Sequence, residues 1–467
     1  MTAPKRQLGL GITAAIVVAN MIGTGVFTST GFQAKGLGDP KTILIAWVVG
    51  GIVALCGAAC YAELGTLYPK AGGEYVYLRE AYHPVLGFLS GWVSMTAGFS
   101  AAIATSALLF SDYLTALFDQ LAHRTPDQPH VLGVAPKFIA AALIVGVTCM
   151  HAFDTKIGGR VQQVFTIMKV LLIIGFVAAG LGSGNGDWNH FATQHGGYSN
   201  IATTSFAMTL MYVSFAYSGW NAAAYIAGEV DKPEKTIPRA LLVGTGAVMV
   251  LYVLLNVVYF YAVPSDVLAG PPNKFAPIKE VGNAAAIVLF GTTGGNLITS
   301  LIAIALVSAV SAMVMAGPRV YAAMAEDHAL PKQLAWYSKR GVPTVAVVVQ
   351  GVLGIAFVML GDLGSLIRFA AFTLAIFAAL TVAALFIVRM DKKLKGPYKT
   401  FGYPVTPVLF IATSIWIAYA QIKEHPKESL VVLGVLVFGA VVYVLAVKPP
   451  PKPNAPANLP EARVVDE

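Results

Sequence analysis

The chain has little charge. Asp, Glu, Lys and Arg make up 12% of its 467 residues and apolar residues 57%, whereas an ordinary globular domain is about 25% charged. A water-soluble chain of this length would lack the polar surface to cover its core, which excludes a soluble fold; lipid removes the need for that surface. Cysteine is scarce too. Cys56 and Cys60 stand one helical turn apart and Cys149 stands alone, all within apolar runs. They read as small buried side chains, and with no cysteine in an outer loop no disulfide-linked partner chain is expected. The HExxH, Walker A and GxSxG patterns are missing, and His123, His130, His190 and His195 are scattered over outer loops. The glycine-rich stretch 181–188 lacks the lysine that a phosphate loop needs. An enzyme is therefore not expected, nor a cofactor or metal. No processing site follows the first apolar run, so residues 1–25 do not read as a cleaved leader.

What the chain does have is apolar runs of about the 20 residues that cross a bilayer as helices. Twelve are expected, at 10–33, 42–67, 84–118, 136–153, 159–181, 201–227, 238–264, 284–323, 342–361, 364–388, 404–422 and 429–447. The third and eighth are overlong and are expected to hold extra helix outside the lipid. Lysine and arginine then orient the bundle. With the N-terminus in the cytoplasm, 21 of the 31 basic residues fall on the cytoplasmic side, 9 fall outside, and Lys169 lies within a span. Both termini are thus placed in the cytoplasm of a multi-pass cell-membrane protein. The net charge of +8 follows from this asymmetry and gives no reason to expect nucleic acid as a partner. Residues 1–447 read as one transmembrane domain and 448–467 as a disordered, proline-rich tail.

Two spans contain residues that helices dislike. The stretch 20–27, with Gly23 and Gly25 around Thr24, interrupts the first; the stretch 215–221, with small polar residues at comparable depth, interrupts the sixth. The sixth span opens a second set of five, so spans 1–5 (about 10–181) and 6–10 (about 201–388) read as repeats of opposite topology, with 404–447 appended. Paired interruptions point to a transporter's binding site. An unwound turn frees N–H and C=O groups that are tolerable only facing protein or a wet cavity. One half-helix offers its positive N-terminal end to a carboxylate and the other offers free carbonyls to an ammonium, which suits an α-amino acid. Glycine used only for close packing is the simpler alternative for any single break.

Lys169 lies about ten residues inside the fifth span, roughly 15 Å deep at 1.5 Å per residue, beyond the reach of a snorkelling side chain. It must face the bundle and meet carbonyls or an acid. There it either ties helices together or supplies a fixed positive charge beside the first break, in the place of a transported cation. Glu63, Glu74, Glu80 and Glu229 are expected at cytoplasmic ends or loops, in solvent or in salt bridges. With no acid in the pocket-facing stretches, neutral substrates are expected.

The stretches MIGTGVF (21–27), YAELGTLYPKAGGEYVYLREAY (61–82), RVQQVFTIMK (160–169), FAYSGWN (215–221), NVVYF (256–260) and GPRVYAAMAEDHALP (317–331) occur in an order that resembles the amino acid–polyamine–organocation superfamily, in its L-type, light-chain-like branch. The resemblance implies an all-α membrane protein of the LeuT type: a five-plus-five inverted repeat with twelve transmembrane helices, helices 1 and 6 unwound at mid-membrane. Carried over by position, Thr24 and Gly25 would offer N–H groups to the substrate carboxylate. Met21, Ile22, Phe215, Ala216 and Ser218 would offer carbonyls to its ammonium, with Phe215 as an aromatic lid. Tyr259 matches a seventh-span tyrosine near the substrate in some relatives, and Lys169 matches a lysine that stands where related carriers bind sodium. Thr24 replaces a frequent serine and Ser218 a frequent glycine. The implied activity is sodium-independent exchange of small neutral L-amino acids by alternating access. Proton-coupled uptake of amino acids, amines or polyamines is the alternative, and a channel or membrane-embedded enzyme is a remote one.

Overall fold

A computed structural model describes residues 8–446 apart from 71, 125–128, 154, 193–196, 273–276, 328–329, 339–340 and 392–395. The tail 448–467 and the basic residues Lys5 and Arg6 lie outside the described residues. In chain order the helices are α1 (Leu10–Met21), α2 (Thr24–Leu37), α3 (Pro40–Leu67), α4 (Glu74–Ala81), α5 (Pro84–Val93), α6 (Ala102–Leu121), α7 (Pro136–Phe153), α8 (Thr155–Gly182) and α9 (Thr204–Tyr217). They continue as α10 (Ala222–Tyr225), α11 (Pro233–Ala262), α12 (Ser265–Ala269), α13 (Val281–Glu326), α14 (Thr344–Leu360), α15 (Leu363–Met390), α16 (Val405–Glu424) and α17 (Pro426–Ala446).

Local chemistry sets several of these starts. Asp39 caps α3 by accepting from the Thr42 amide at 2.8 Å. Asp362 and Ser365 form a reciprocal capping box on α15, which satisfies two of the free amides of a helix N-terminus. Pro84 and Pro233 stand in the first turns of α5 and α11, where their fixed φ and missing N–H cost nothing.

Among the described residues, nine helical stretches are long and apolar enough to cross a membrane. The other three expected spans correspond to α7, α14 and the interrupted α9, which are shorter, so the count of twelve crossings rests on the sequence. The overlong third span contains a π-helical segment at Ser94–Ala101 between α5 and α6. The overlong eighth turns at Gly291, whose φ of 69° lies in the left-handed region open to glycine.

The appended helices are pinned by a polar clamp. Arg368, at the start of α15, donates to Glu428 of α17 through Nε at 2.8 Å and Nη2 at 2.5 Å, and to the Tyr212 hydroxyl of α9 at 3.1 Å. The arginine side chain is 9% exposed. Replacing it with methionine leaves the half-buried Glu428 carboxylate without its cation, a loss of about 1–3 kcal/mol for a charge-assisted hydrogen bond. We expect the thermal midpoint in detergent to fall by several degrees; an unchanged midpoint would show that the clamp adds nothing to stability.

Candidate functional site

The site is built where two interrupted helices touch. α1 ends at Met21; Ile22 takes an extended conformation (φ −73°, ψ 97°), Gly23 is also extended, and α2 starts at Thr24. α9 ends at Tyr217, and the chain turns through Ser218 and Gly219, which has φ of 94°, before the single turn of α10. The breaks interlock. A Cβ built on Gly25 would overlap the Ala216 backbone, and one on Gly219 would stand 2.7 Å from the Asn20 carbonyl oxygen. Each glycine is therefore required by the other helix's approach.

The carbonyls freed at the end of α1 have partners. Lys169 Nζ, 1% exposed on α8, donates to Ile22 O at 3.0 Å and Ala19 O at 3.5 Å. The Tyr252 hydroxyl of α11 donates to Met21 O at 2.6 Å. The Thr24 side chain shares a 2.6 Å hydrogen bond with Ser106 of α6. At Thr24 and Gly25 the amides are the first of α2, where a helix has no internal acceptors.

Below the breaks a cavity of about 700 Å³ runs toward the N-terminal end of α1. Asn20, Phe215, Ser218 and Glu74 are on its wall, and its far end reaches Leu8, Glu229 and Arg319. The π-helical segment contributes Ser94, Gly98 and Phe99. No described residue of α2 lines it; the α2 side is packed shut. There the Tyr113 hydroxyl donates to Phe27 O at 3.0 Å and accepts from the Gly282 amide at 3.1 Å, while Thr30 donates to Asn256 at 2.6 Å.

Of the residues expected at the site, Phe215 and Ser218 line this cavity. Met21, Ile22, Thr24, Gly25, Ala216 and Lys169 meet at the breaks just above it. Tyr259 does not reach it. Its ring, 1% exposed, packs edge-on against Phe176 beside a small apolar void on the α2 side.

Two features escaped the sequence. Tyr252 sits two helical turns before Tyr259, and a tyrosine hydroxyl at that depth has to find an acceptor, a signal that was available. The second is a correction. The cavity does carry acids, Glu74 and Glu229. Glu63 pairs with Arg389 at 2.6 Å and Glu80 with Arg79 at 3.1 Å, as expected of salt-bridged ends. Glu74 instead is 4% exposed and accepts from the Tyr61 hydroxyl at 2.5 Å and Asn221 Nδ2 at 3.0 Å. Burial pushes its carboxyl above the usual range. The glycine pair 72–73 makes this turn: with φ of 122° and 51°, it swings Glu74 inward as the first residue of α4, a path that hydropathy does not encode.

A family profile described as amino acid permease matches residues 8–460. The mouse b(0,+)-type amino acid transporter 1 is 29% identical over 457 residues, covering 96% of this chain and 89% of its own. The serine/threonine exchanger SteT of Bacillus subtilis (strain 168) is 31% identical over 421 residues, 88% of this chain and 90% of its own. The mouse large neutral amino acids transporter small subunit 2 is 29% identical over 463 residues, 95% and 82%. With a profile match that runs nearly the length of the chain, and apolar helices interrupted where a carrier's binding site is expected, this multi-pass membrane protein belongs to the amino acid permease family.

Proposed function

We propose that the chain is a sodium-independent exchanger of small neutral L-amino acids that works by alternating access. The observation that carries this reading is the meeting of two broken helices at the head of a cavity that, among the described residues, reaches toward the N-terminal end of α1 and is lined by none of α2. First-turn amides at Thr24 and Gly25 suit a carboxylate, and carbonyls of Phe215, Ala216 and Ser218 suit an ammonium. Met21 and Ile22 carbonyls already accept from Tyr252 and Lys169, and each keeps a second lone pair for the substrate. By the lysine and arginine asymmetry the open end is cytoplasmic, which makes this the inward-open state. Spans 1, 2, 6 and 7 rock against 3, 4, 8 and 9, and the five-plus-five inverted repeat is the frame for that motion.

Lys169 holds its ammonium against the last carbonyls of α1, the place of a transported cation. Exchange of sodium for choline at constant ionic strength should therefore leave the rate unchanged, and a rate that rises with sodium would overturn this part of the reading. The three cysteines lie in helices, in keeping with a carrier that works without a disulfide-linked heavy chain.

The test is counterflow in proteoliposomes loaded with each of the twenty amino acids in turn, read as entry of labelled alanine or serine. Small neutral amino acids inside should drive entry without sodium. If no amino acid does, the substrate assignment fails and amines and polyamines come next. The runner-up, proton-coupled uptake, gains one specific support in the cavity-lining carboxyl of Glu74.

A further inference from the structure

Among the described residues, no cation pairs with the Glu74 carboxyl. Its hydrogen-bond donors, Tyr61 and Asn221, are neutral and both reach Oε1. The charged groups on neighbouring elements are engaged elsewhere. Arg389 of α15 is held by Glu63, and Arg79, further along α4, by Asp327 at 2.6 Å and Glu80. Tyr77 on α4 and Tyr225 on α10 also stand near it, both neutral phenols. Arg319 and Glu229 line the same cavity, but neither is a hydrogen-bond partner of Glu74 among the described residues.

The carboxyl is also joined to a part that has to move. Asn221 belongs to the break in the sixth span. The Gly72 amide donates to Tyr225 O at 3.3 Å, and the Tyr225 ring closes on Gly73, where a Cβ would stand 2.7 Å from it. The start of α4 and the segment that follows the break thus form one joint on the cavity wall.

We propose that Glu74 is a proton-binding residue that takes up a proton when the cavity closes and releases it when the cavity opens; this rests on the transport reading of that cavity. In this open state the carboxyl lies on the cavity wall with 4% of the residue exposed, so it keeps only a narrow contact with the cavity solvent. Closure expels that solvent and leaves a buried anion with neutral donors only, a state far less favourable than the neutral acid. One proton moves from cavity solvent to a carboxylate oxygen, and no other bond changes.

The direction of the pH effect follows. The closed state holds the proton more tightly than the open one. Closure is favoured as pH falls into the range between the two affinities, and the advantage is lost as pH rises above the closed-state value. A single linked proton can shift the equilibrium by at most about tenfold per pH unit.

The test reads closure without using transport. Ala316, on the cavity wall, is replaced by cysteine in a chain whose Cys56, Cys60 and Cys149 are changed to alanine. Labelling by a small hydrophilic thiol reagent is followed with Glu74 intact and with Glu74→Gln, a permanently neutral isostere. Taking the ratio of the two rates cancels the pH dependence of the thiol itself. The intact chain should label several-fold faster than Glu74→Gln at about pH 8, and the two should converge by about pH 6. A ratio that stays constant with pH overturns the proposal. Asn221→Ala provides a second variant: it removes a hydrogen bond to the charged form, so the midpoint of the profile should move to higher pH, and an unmoved midpoint also counts against the proposal. Counterflow on the same samples separates the two readings. A pH-dependent ratio without any counterflow would retain the proton site and sink the transport assignment; counterflow with a constant ratio does the reverse.

Discussion

Replacing Lys169 with alanine should lower counterflow by about a hundredfold while leaving a folded protein. The ammonium bridges Ile22 O and Ala19 O, so it closes the end of α1 at the break. Hydrogen bonds from a charged donor contribute roughly 1.5–3 kcal/mol each, and a hundredfold change in rate corresponds to about 2.7 kcal/mol. Losing one such bond in the step that rearranges the break is enough. Lys169→Met keeps most of the stem's packing and removes only the charge. If methionine transports like the parent, the ammonium is dispensable and Lys169 only ties helices together. If both variants lose transport while their thermal midpoints in detergent stay close to the parent's, the charge at the break is what the cycle needs.

Gly25 should be the least tolerant position in the first span. A side chain there meets the Ala216 backbone Cα and N as well as its Cβ. Overpacking a tight interior contact costs typically 1–3 kcal/mol, and here neither partner is the movable end of a side chain. We expect Gly25→Ala to reduce counterflow at least about tenfold and Gly25→Val to abolish it. The combination Gly25→Ala with Ala216→Gly is the informative control. It removes one methyl group but leaves the Ala216 backbone where the new Cβ must go, so rescue should fail. Rescue would mean that the interlock is a matter of side-chain volume and not of backbone approach. Gly219→Ala is compromised twice, by its φ of 94° and by the nearby Asn20 carbonyl.

Much of this was legible in the chain. Long apolar runs force helices, since lipid leaves backbone groups no partner outside the helix. Gly23 and Gly25 in one run, with Ser218 and Gly219 in another, marked both interruptions to within a residue or two of where α1 and α9 end. Lys169 had to face inward because its stem is too short to reach water. These are one-dimensional facts: depth along a helix, or a residue type that a helix disfavours.

The partners were not legible, because each is a meeting of segments far apart in sequence. Tyr252 reaches Met21 across 231 residues and Lys169 reaches Ile22 across 147; hydropathy records that such a group is buried but not whom it meets. The placing of Tyr259 on the packed α2 side depended on the rotation of α11 about its axis. Glu74 was read as a solvated or salt-bridged acid because it follows a polar loop. Two glycines with positive φ turned the loop inward and made that carboxyl part of the cavity. The sequence by itself determined a helical membrane bundle, its two breaks and the buried charge between them, since burial depth and backbone chemistry act locally. Only the tertiary structure decided which groups satisfy the freed carbonyls, which end of the bundle the cavity reaches and which acid it contains, since those depend on how helices distant in sequence rotate and pack against one another.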